Sequence, residues 1–487
     1  MKHNYRFDNI NFNKEELKTY INNNRKLLLL YNKIRSLDDN FKHVIYTSST
    51  SCAKILCGLL NILGYYSAYD SNHNININND YKCFAYLTIN NVYGKPLSKT
   101  LIKGIKNIFN ERPTNVFGEK IKIIIIDKYF KEGIDLFDVK YMHLFSKIIH
   151  LNEETQIIGR IRRSCGHIGM PYGTKQMIYC YFPIKKSDTN FSNEISKICY
   201  YASIDYYEKS DISELLFGNY IKTIKNNLIL NKGFSEEVIN FKNKIFDKYN
   251  RLENKSNCYG SFELTPTQIM IKDYFNPTTN IKGILCWHYT GSGKTCLGLG
   301  VARNFINKKY SVIWVSRTSL LKDIEKNVKL CYDKDKIDKG LIVVSYKTFT
   351  NLLENKNRYA RENLHNTLII IDEAHKLFDG SLSRLEAPNL NILKEKIKSK
   401  SCYIMLMTAT PYIQDPMQLI KILNLITEEK MPEDFETFAQ DYLEKDKVFF
   451  SYTGANKFVK NVYKNISYLD IANDKSKFAI QVKNDVI

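Results

Sequence analysis

The run His288-Tyr289-Thr290-Gly291-Ser292-Gly293-Lys294-Thr295 spaces glycines, hydroxyls and a lysine as a loop that wraps a phosphate chain requires. Apolar Gly283–Trp287 precedes it as an expected strand, and a helical pattern opens at Thr295. Backbone N–H groups and a helix N-terminus would then face phosphate oxygens. Thr290, Gly291, Ser292, Gly293 and Lys294 become nucleotide-binding candidates, Lys294 at the β/γ-phosphates, and Thr295 becomes a ligand for Mg2+. The leading glycine of the usual pattern is His288 here. Downstream, Leu368–Ile371 is an apolar strand ending in Asp372-Glu373-Ala374-His375. Asp372 suits a Mg2+ ion held through water, and Glu373 suits a base that orients and deprotonates attacking water. His375 joins them as a catalytic candidate. Met407-Thr408-Ala409-Thr410-Pro411 ends another strand, with hydroxyls able to bond the acidic motif. Upstream, Gln268 in Thr265-Pro266-Thr267-Gln268 carries a two-faced amide suited to an adenine edge.

A second set lies more than a hundred residues before the first. Gln156-Ile157-Ile158-Gly159-Arg160-Ile161-Arg162-Arg163 reads as a helical segment, with Arg160 and Arg163 three apart and Gln156 one turn earlier on the same face. Guanidinium groups so placed would stabilise charge on a transferring phosphoryl group. The plain alternative is an exposed basic helix. Before it stands Lys131-Glu132-Gly133-Ile134-Asp135-Leu136, where Gly133 permits close backbone approach and Asp135 can contact a ribose.

These residues need rigid elements behind them. Apolar runs at His43–Thr47, Cys83–Ile89, Ile121–Asp127, Tyr141–Phe145 and Met177–Phe182 alternate with helical patterns at Ala53–Leu63 and Leu101–Phe109. The alternation resumes with Gly283–Trp287, Ser311–Val315, Leu341–Ser345, Leu368–Ile371 and Tyr403–Met407. Buried runs alternating with helices predict parallel sheets in an α/β fold. Between the halves, 187–257 has helical patterning and reads as a connector, and 431–487 reads as an accessory tail. The Asn-rich stretch 72–79 reads as a surface loop.

A chain of 487 residues has room for two to four domains. Its net charge of +20 and pI near 9.2 invite a nucleic-acid partner through phosphate neutralisation. The chain is also rich in Asn, Ile, Lys and Tyr, so part of the lysine excess is compositional. No apolar run approaches the length of a membrane span, and the N-terminus lacks a signal-peptide core, so the chain is expected to stay where it is made. Eleven cysteines without a CxxC pair read as buried thiols rather than a zinc or disulfide framework.

Taken together, TPTQ, TGSGKT, Val315-Ser316-Arg317-Thr318, DEAH, TAT, KEGIDL and QIIGRIRR resemble the superfamily 2 (DEAH-box-like) helicase ATPases. The stretches 109–120, 130–145, 368–378 and 406–426 are similar to helicase-like transcription factors of large cytoplasmic DNA viruses, of the poxvirus and mimivirus kind. The resemblance spans about 41–183 and 262–443. It implies two RecA-like P-loop lobes: a finger-bearing lobe of the helicase C-terminal type over 1–186 and an ATP-binding lobe over 258–430, with ATP and Mg2+ as cofactors. It also implies a nucleic-acid path, DNA or RNA, with Arg317, Thr318, Ser345, Tyr346 and Lys347 on one lobe and Thr47, Ser48 and Ser49 on the other. Such motors grip the backbone and read little base sequence. The implied function is an ATP-dependent helicase or translocase in viral transcription or genome processing, in host cytoplasm or virion, with viral RNA polymerase or transcription factors as partners. The competing class is a nucleic-acid-binding subunit with a silent motor. A P-loop kinase or GTPase is disfavoured by the finger and DEAH context.

In helicases of this kind the finger lobe comes second; here it comes first. Three arrangements accommodate that order. The chain is a circular permutation closing one cleft within a monomer, or its fingers serve a neighbouring copy, or it is a remnant with an impaired cleft. The monomer is the expectation.

Overall fold

The computed structural model describes residues 13–37, 40–77, 80–130, 134–148, 151–163, 165–171, 173–182, 190–204, 236–249, 264–318, 320–331, 340–354, 364–398, 402–413, 415–469 and 479–486. The chain divides into two compact units, Met1–Ser187 with Lys475–Ile487, and Asp188–Asp474. The first unit takes β1 (Lys42–Thr47), β2 (Tyr66–Ser67), β3 (Cys83–Leu87), the short pair β4 (Asn91–Val92) and β5 (Lys95–Pro96), β6 (Ile123–Asp127), β7 (Val139–Leu144) and β8 (Gln176–Cys180). The second takes β9 (Gly283–His288), β10 (Ser311–Ser316), β11 (Leu341–Ser345), β12 (Thr367–Asp372), β13 (Cys402–Thr408) and β14 (Ile466–Leu469). The chain then returns to the first unit for β15 (Gln481–Asp485).

The first sheet runs β15-β8-β7-β1-β6-β3-β2, with every pair parallel. β1, β3 and β6 are buried along their whole length, as strands covered by helices on both faces must be. The helix Thr50–Ile62 starts where the Ser49 hydroxyl accepts the Cys52 N–H, and Lys99–Phe109 starts the same way at Ser98. The latter turns Leu101, Ile105 and Phe109 inward at helical spacing.

One polar chain crosses this core. His43 Nδ1 lies 3.1 Å from His143 Nε2, and His143 Nδ1 lies 3.0 Å from the Tyr181 hydroxyl. Burial pushes the His43 pKa down to about 3, with Lys122 and Lys140 acting in the same direction. Burial also holds His143 well below its ordinary value, reinforced by His43 and Lys33. The folded lobe thus refuses protons that the unfolded chain accepts near the ordinary value of 6.5. Stability is full above pH 6.5 and falls as pH drops from there toward the depressed folded values. At pH 5 the expected loss from His43 is roughly 2 kcal/mol, and His143 acts in the same direction. Chemical denaturation between pH 8 and 5 checks this, and a flat profile would remove the explanation.

The second sheet runs β11-β10-β12-β13-β9-β14, again all parallel. Against it lies the helix Lys294–Asn307. A Cβ on Gly298 would stand 2.7 Å from Trp314 Cη2 and 3.1 Å from Met407 Sδ, so the helix sits this close because that residue is glycine.

The α/β architecture of parallel sheets flanked by helices is the one expected, and every expected strand is present with its ends moved by no more than two residues. The short strands β2, β4, β5, β14 and β15 carry too few residues to show a period. Two segments take a definite place in these sheets and cores. Within 187–257, the described helices Asn190–Ala202 and Glu236–Tyr249 do not stand apart as a connector. Phe191, Ile195, Ile198 and Val238 join the second unit's core, and Ser196 meets the Tyr412 hydroxyl at 2.7 Å. The remainder of that segment lies outside the described residues. The segment read as an accessory tail packs on the sheets. The helices Phe435–Tyr442 and Tyr452–Val462 enter the second core, β14 pairs with β9, and β15 pairs with β8. Among the described residues no helix is long and apolar enough to cross a membrane.

Candidate functional site

In the second unit the loop after β9 carries Gly291 and Gly293 at φ 79° and 80°, a left-handed backbone that glycine enters without strain. Gly293 caps the helix Lys294–Asn307, so Lys294 and Thr295 open its first turn. The Lys294 ammonium donates to the carbonyls of His288 (3.0 Å) and Tyr289 (3.3 Å). The hydroxyl oxygens of Thr290 and Ser292 are buried with no hydrogen-bond partner among the described residues. A buried unsatisfied hydroxyl costs about 1–3 kcal/mol. Two of them on a glycine loop at a helix N-terminus fit a polyphosphate and its metal ion. His288, in place of the leading glycine, turns into the sheet: its Nε2 lies 2.7 Å from the Ser467 hydroxyl of β14. Burial, then Lys294, push its pKa down to about 3, so it stays neutral beside the loop.

Gln268 is buried against the same loop. Its Nε2 donates to the carbonyls of Gly293 (3.1 Å) and Ser292 (3.3 Å), while its Oε1 accepts the Thr265 N–H at 2.9 Å in a capping box. Both faces of the amide therefore hold the phosphate loop and the helix start, in place of the adenine-reading role expected for it.

β12 ends in Asp372 and Glu373, one strand away from β9, with β13 between them. Asp372 Oδ1 accepts the Glu373 N–H at 3.1 Å, and the Ser316 hydroxyl stands 3.5 Å from Oδ2. Burial, then the neighbouring Glu373 carboxylate, raise the Asp372 pKa, and Lys294 opposes them. A divalent cation would relieve that crowding of negative charge. Glu373 sits at φ 53°, a left-handed conformation that costs a non-glycine residue of order 1 kcal/mol and concentrates at working sites. The Tyr346 hydroxyl secures this turn by donating to the carbonyls of Asp372 (2.9 Å) and Glu373 (3.3 Å). Tyr346 is fully buried in that task, which removes it from the phosphate contacts expected of it.

His375 is also fully buried. Its Nδ1 lies 2.9 Å from the Thr408 hydroxyl, which in turn accepts the Thr410 N–H at 3.1 Å. It bridges the acidic turn to the end of β13 instead of presenting an imidazole for catalysis. Trp287 Nε1 donates to the Ala409 carbonyl at 3.1 Å, so the phosphate-loop strand meets the same point. The nucleic-acid candidates Arg317, Thr318, Ser345 and Lys347 gather where β10 and β11 end side by side, with Ser316 opposite Ser345. Ser345 also caps the helix Tyr346–Leu353. Glu386 stands among them; hydrogen bonds from Ser383, then the Arg317 and Lys347 cations, hold its carboxyl below the usual range.

In the first unit the helix Leu151–Ile158 stops before the arginines, which continue in tight turns rather than on one helix face. Arg160 points inward: its Nε donates to the Gln156 carbonyl (3.1 Å) and its Nη1 to the Ile134 carbonyl (3.3 Å). That ties the turn to the strand-end segment, so the Arg160 guanidinium, expected as a finger, is turned into its own lobe. Gln156 is likewise buried. Arg163 instead reaches the half-exposed Asp135, Nη2 to Oδ1 2.5 Å, and its buried Nε has no partner among the described residues. Gly133 lies outside the described residues. Ser48 is exposed at the end of β1, its N–H donating to the Ser146 hydroxyl at 2.8 Å, whereas Thr47 is buried beneath it.

Sequence reasoning missed Ser467 and the positions of Gln481 and Lys483 on β15, and it did not foresee the bond from Ser316 to Asp372. A serine or glutamine gains its meaning here from a strand neighbour distant in the chain, so nothing local marks it.

A model of the type III restriction enzyme res subunit matches residues 248–413. A protein of Acanthamoeba polyphaga mimivirus, described as a candidate ATP-dependent RNA helicase, is 29% identical over 221 residues, covering 38% of this chain and 37% of its own. A termination factor NPH-I homolog of African swine fever virus is 24% identical over 273 residues, covering 51% of this chain and 38% of its own. The chain thus spans well under half the length of these relatives. The Hef helicase domain of Pyrococcus furiosus matches 33% of the chain at 19% identity and a TM-score of 0.25, too partial a likeness to argue from. The family match spans the phosphate loop, the DEAH turn and the TAT strand end, and the chain is similar there to helicase-like proteins of large DNA viruses.

Proposed function

We propose that the chain is a nucleic-acid-stimulated ATPase that translocates along or unwinds nucleic acid. The observation that carries this is the phosphate loop and the acidic turn at strand ends one strand apart, joined through Thr408 and His375. On nucleotide binding, Lys294 exchanges its loop carbonyls for phosphate oxygens, and the hydroxyls of Thr290 and Ser292 gain acceptors. Thr295 and Asp372 would hold Mg2+, which neutralises charge on the β- and γ-phosphates. Glu373 orients the attacking water and takes its proton, and Arg163 supports the transferring phosphoryl group. Thr408, bonded to His375, gives β13 a means of sensing the acidic turn. Arg317, Thr318, Ser345 and Lys347, with Ser48 on the other lobe, contact the nucleic-acid backbone. Names of relatives that include a termination factor support a viral transcription role, with viral RNA polymerase as a partner in the cytoplasmic viral factory.

The test is ATP hydrolysis with and without single-stranded and duplex nucleic acid. Turnover is expected to rise at least about tenfold with nucleic acid, the size of effect a completed catalytic arrangement gives. A folded preparation showing no stimulated turnover would leave only a nucleic-acid-binding subunit.

A further inference from the structure

We propose that β15, at the C-terminal end of the chain, positions the finger segment through Gln481 and Lys483. The proposal rests on the reading of Arg163 as a finger.

β15 lies parallel to β8, from Gln481 opposite Gln176 to Asp485 opposite Cys180. Gln176 is buried, and its Nε2 donates to the carbonyls of Val139 and Ile161, each at 3.1 Å. Its remaining oxygen accepts from Gln481 Nε2 at 3.2 Å. Gln481 Oε1 in turn accepts from Arg162 Nη1 at 3.2 Å. Two residues along, and therefore on the same face of the strand, Lys483 Nζ meets Glu154 Oε1 at 2.5 Å. Glu154 belongs to the helix Leu151–Ile158 that leads into the arginines, and its carboxylate is largely buried.

The segment is thus held at the helix through Glu154, at the Ile161 carbonyl through Gln176, and at Arg162 through Gln481. Arg163 follows directly and extends to Asp135. Its neighbours have little freedom, so its guanidinium keeps one direction. An edge strand that only closed the sheet would need its backbone ladder, not two polar side chains aimed at one turn. Gln481 and Lys483 are positioning residues, since neither touches the phosphate candidates.

The test compares Gln481→Ala/Lys483→Ala and Lys483→Arg with the wild-type full chain. Readouts are kcat and KM for ATP, the melting midpoint, and amide exchange over residues 159–163. The double variant is expected to lose roughly tenfold in kcat with KM changed less than about twofold, because misplacing a catalytic group costs rate rather than substrate affinity. Its melting midpoint should hold while exchange in the turn speeds up, and Lys483→Arg should match wild type. An unchanged kcat overturns the proposal. So does a fall in kcat accompanied by a lowered melting midpoint, which marks β15 as plain scaffold. If the wild-type chain hydrolyses no ATP, the functional reading fails by itself, and exchange alone then decides whether β15 orders the turn: unchanged exchange overturns the proposal.

Discussion

Replacing Glu373 with Gln is expected to lower ATP hydrolysis about a thousandfold while nucleotide affinity stays within a few-fold of wild type. The exchange keeps size and hydrogen-bonding shape and removes only the capacity to accept a proton. Its backbone is held independently of the carboxylate by the Tyr346 hydroxyl, so the turn should persist. Phosphate binding depends on Lys294, the glycine loop and the helix start, none of which changes. Single-turnover hydrolysis together with fluorescent-nucleotide binding checks both halves. Wild-type turnover in the variant would assign the base elsewhere, and lost binding would show that the carboxylate supports the loop instead.

Arg163→Ala is expected to cost about a thousandfold in kcat, the range measured when a finger is withheld. Arg160→Ala should behave differently. The Arg160 guanidinium is bonded to two carbonyls inside its own lobe, and removing it leaves them unsatisfied at about 1–3 kcal/mol of stability. Comparing kcat with denaturation midpoints separates a finger from an internal tie. Mixing Arg163→Ala with Lys294→Ala tests which molecule supplies the finger. A permuted monomer carries one defect in every cleft, so mixing should restore nothing. Recovered activity would mean that fingers act on a neighbouring copy and would overturn the monomeric arrangement.

Several parts of this molecule were legible in the chain. Gly291 and Gly293 stand where a left-handed backbone is needed, and apolar runs such as Leu368–Ile371 are long and bounded enough to declare buried strands. The acidic pair sits at the end of such a run. These features are local, so composition and spacing reveal them. What stayed hidden depends on contacts between distant residues. Gln268 has the chemistry to read adenine, but the fold brings the carbonyls of Ser292 and Gly293 within reach of its amide. Tyr346 looks like a surface contact beside Lys347, yet the packing carries its hydroxyl under the Asp372–Glu373 turn.

The sequence by itself pointed to the kind of chemistry proposed, because a glycine loop suited to phosphate and a strand-end carboxylate suited to activating water are read from residue types a few positions apart. It also determined the parallel α/β lobes, because doubly covered strands leave continuous apolar runs. Only the tertiary structure decided that Arg160 turns into its own lobe while Arg163 reaches Asp135, and that His375 bonds the end of β13. It alone revealed that β15 reaches the helix Leu151–Ile158 through Lys483 and the turn after it through Gln481. Those outcomes depend on side chains up to 329 positions apart meeting across a sheet, and no local pattern encodes which neighbour a strand will find.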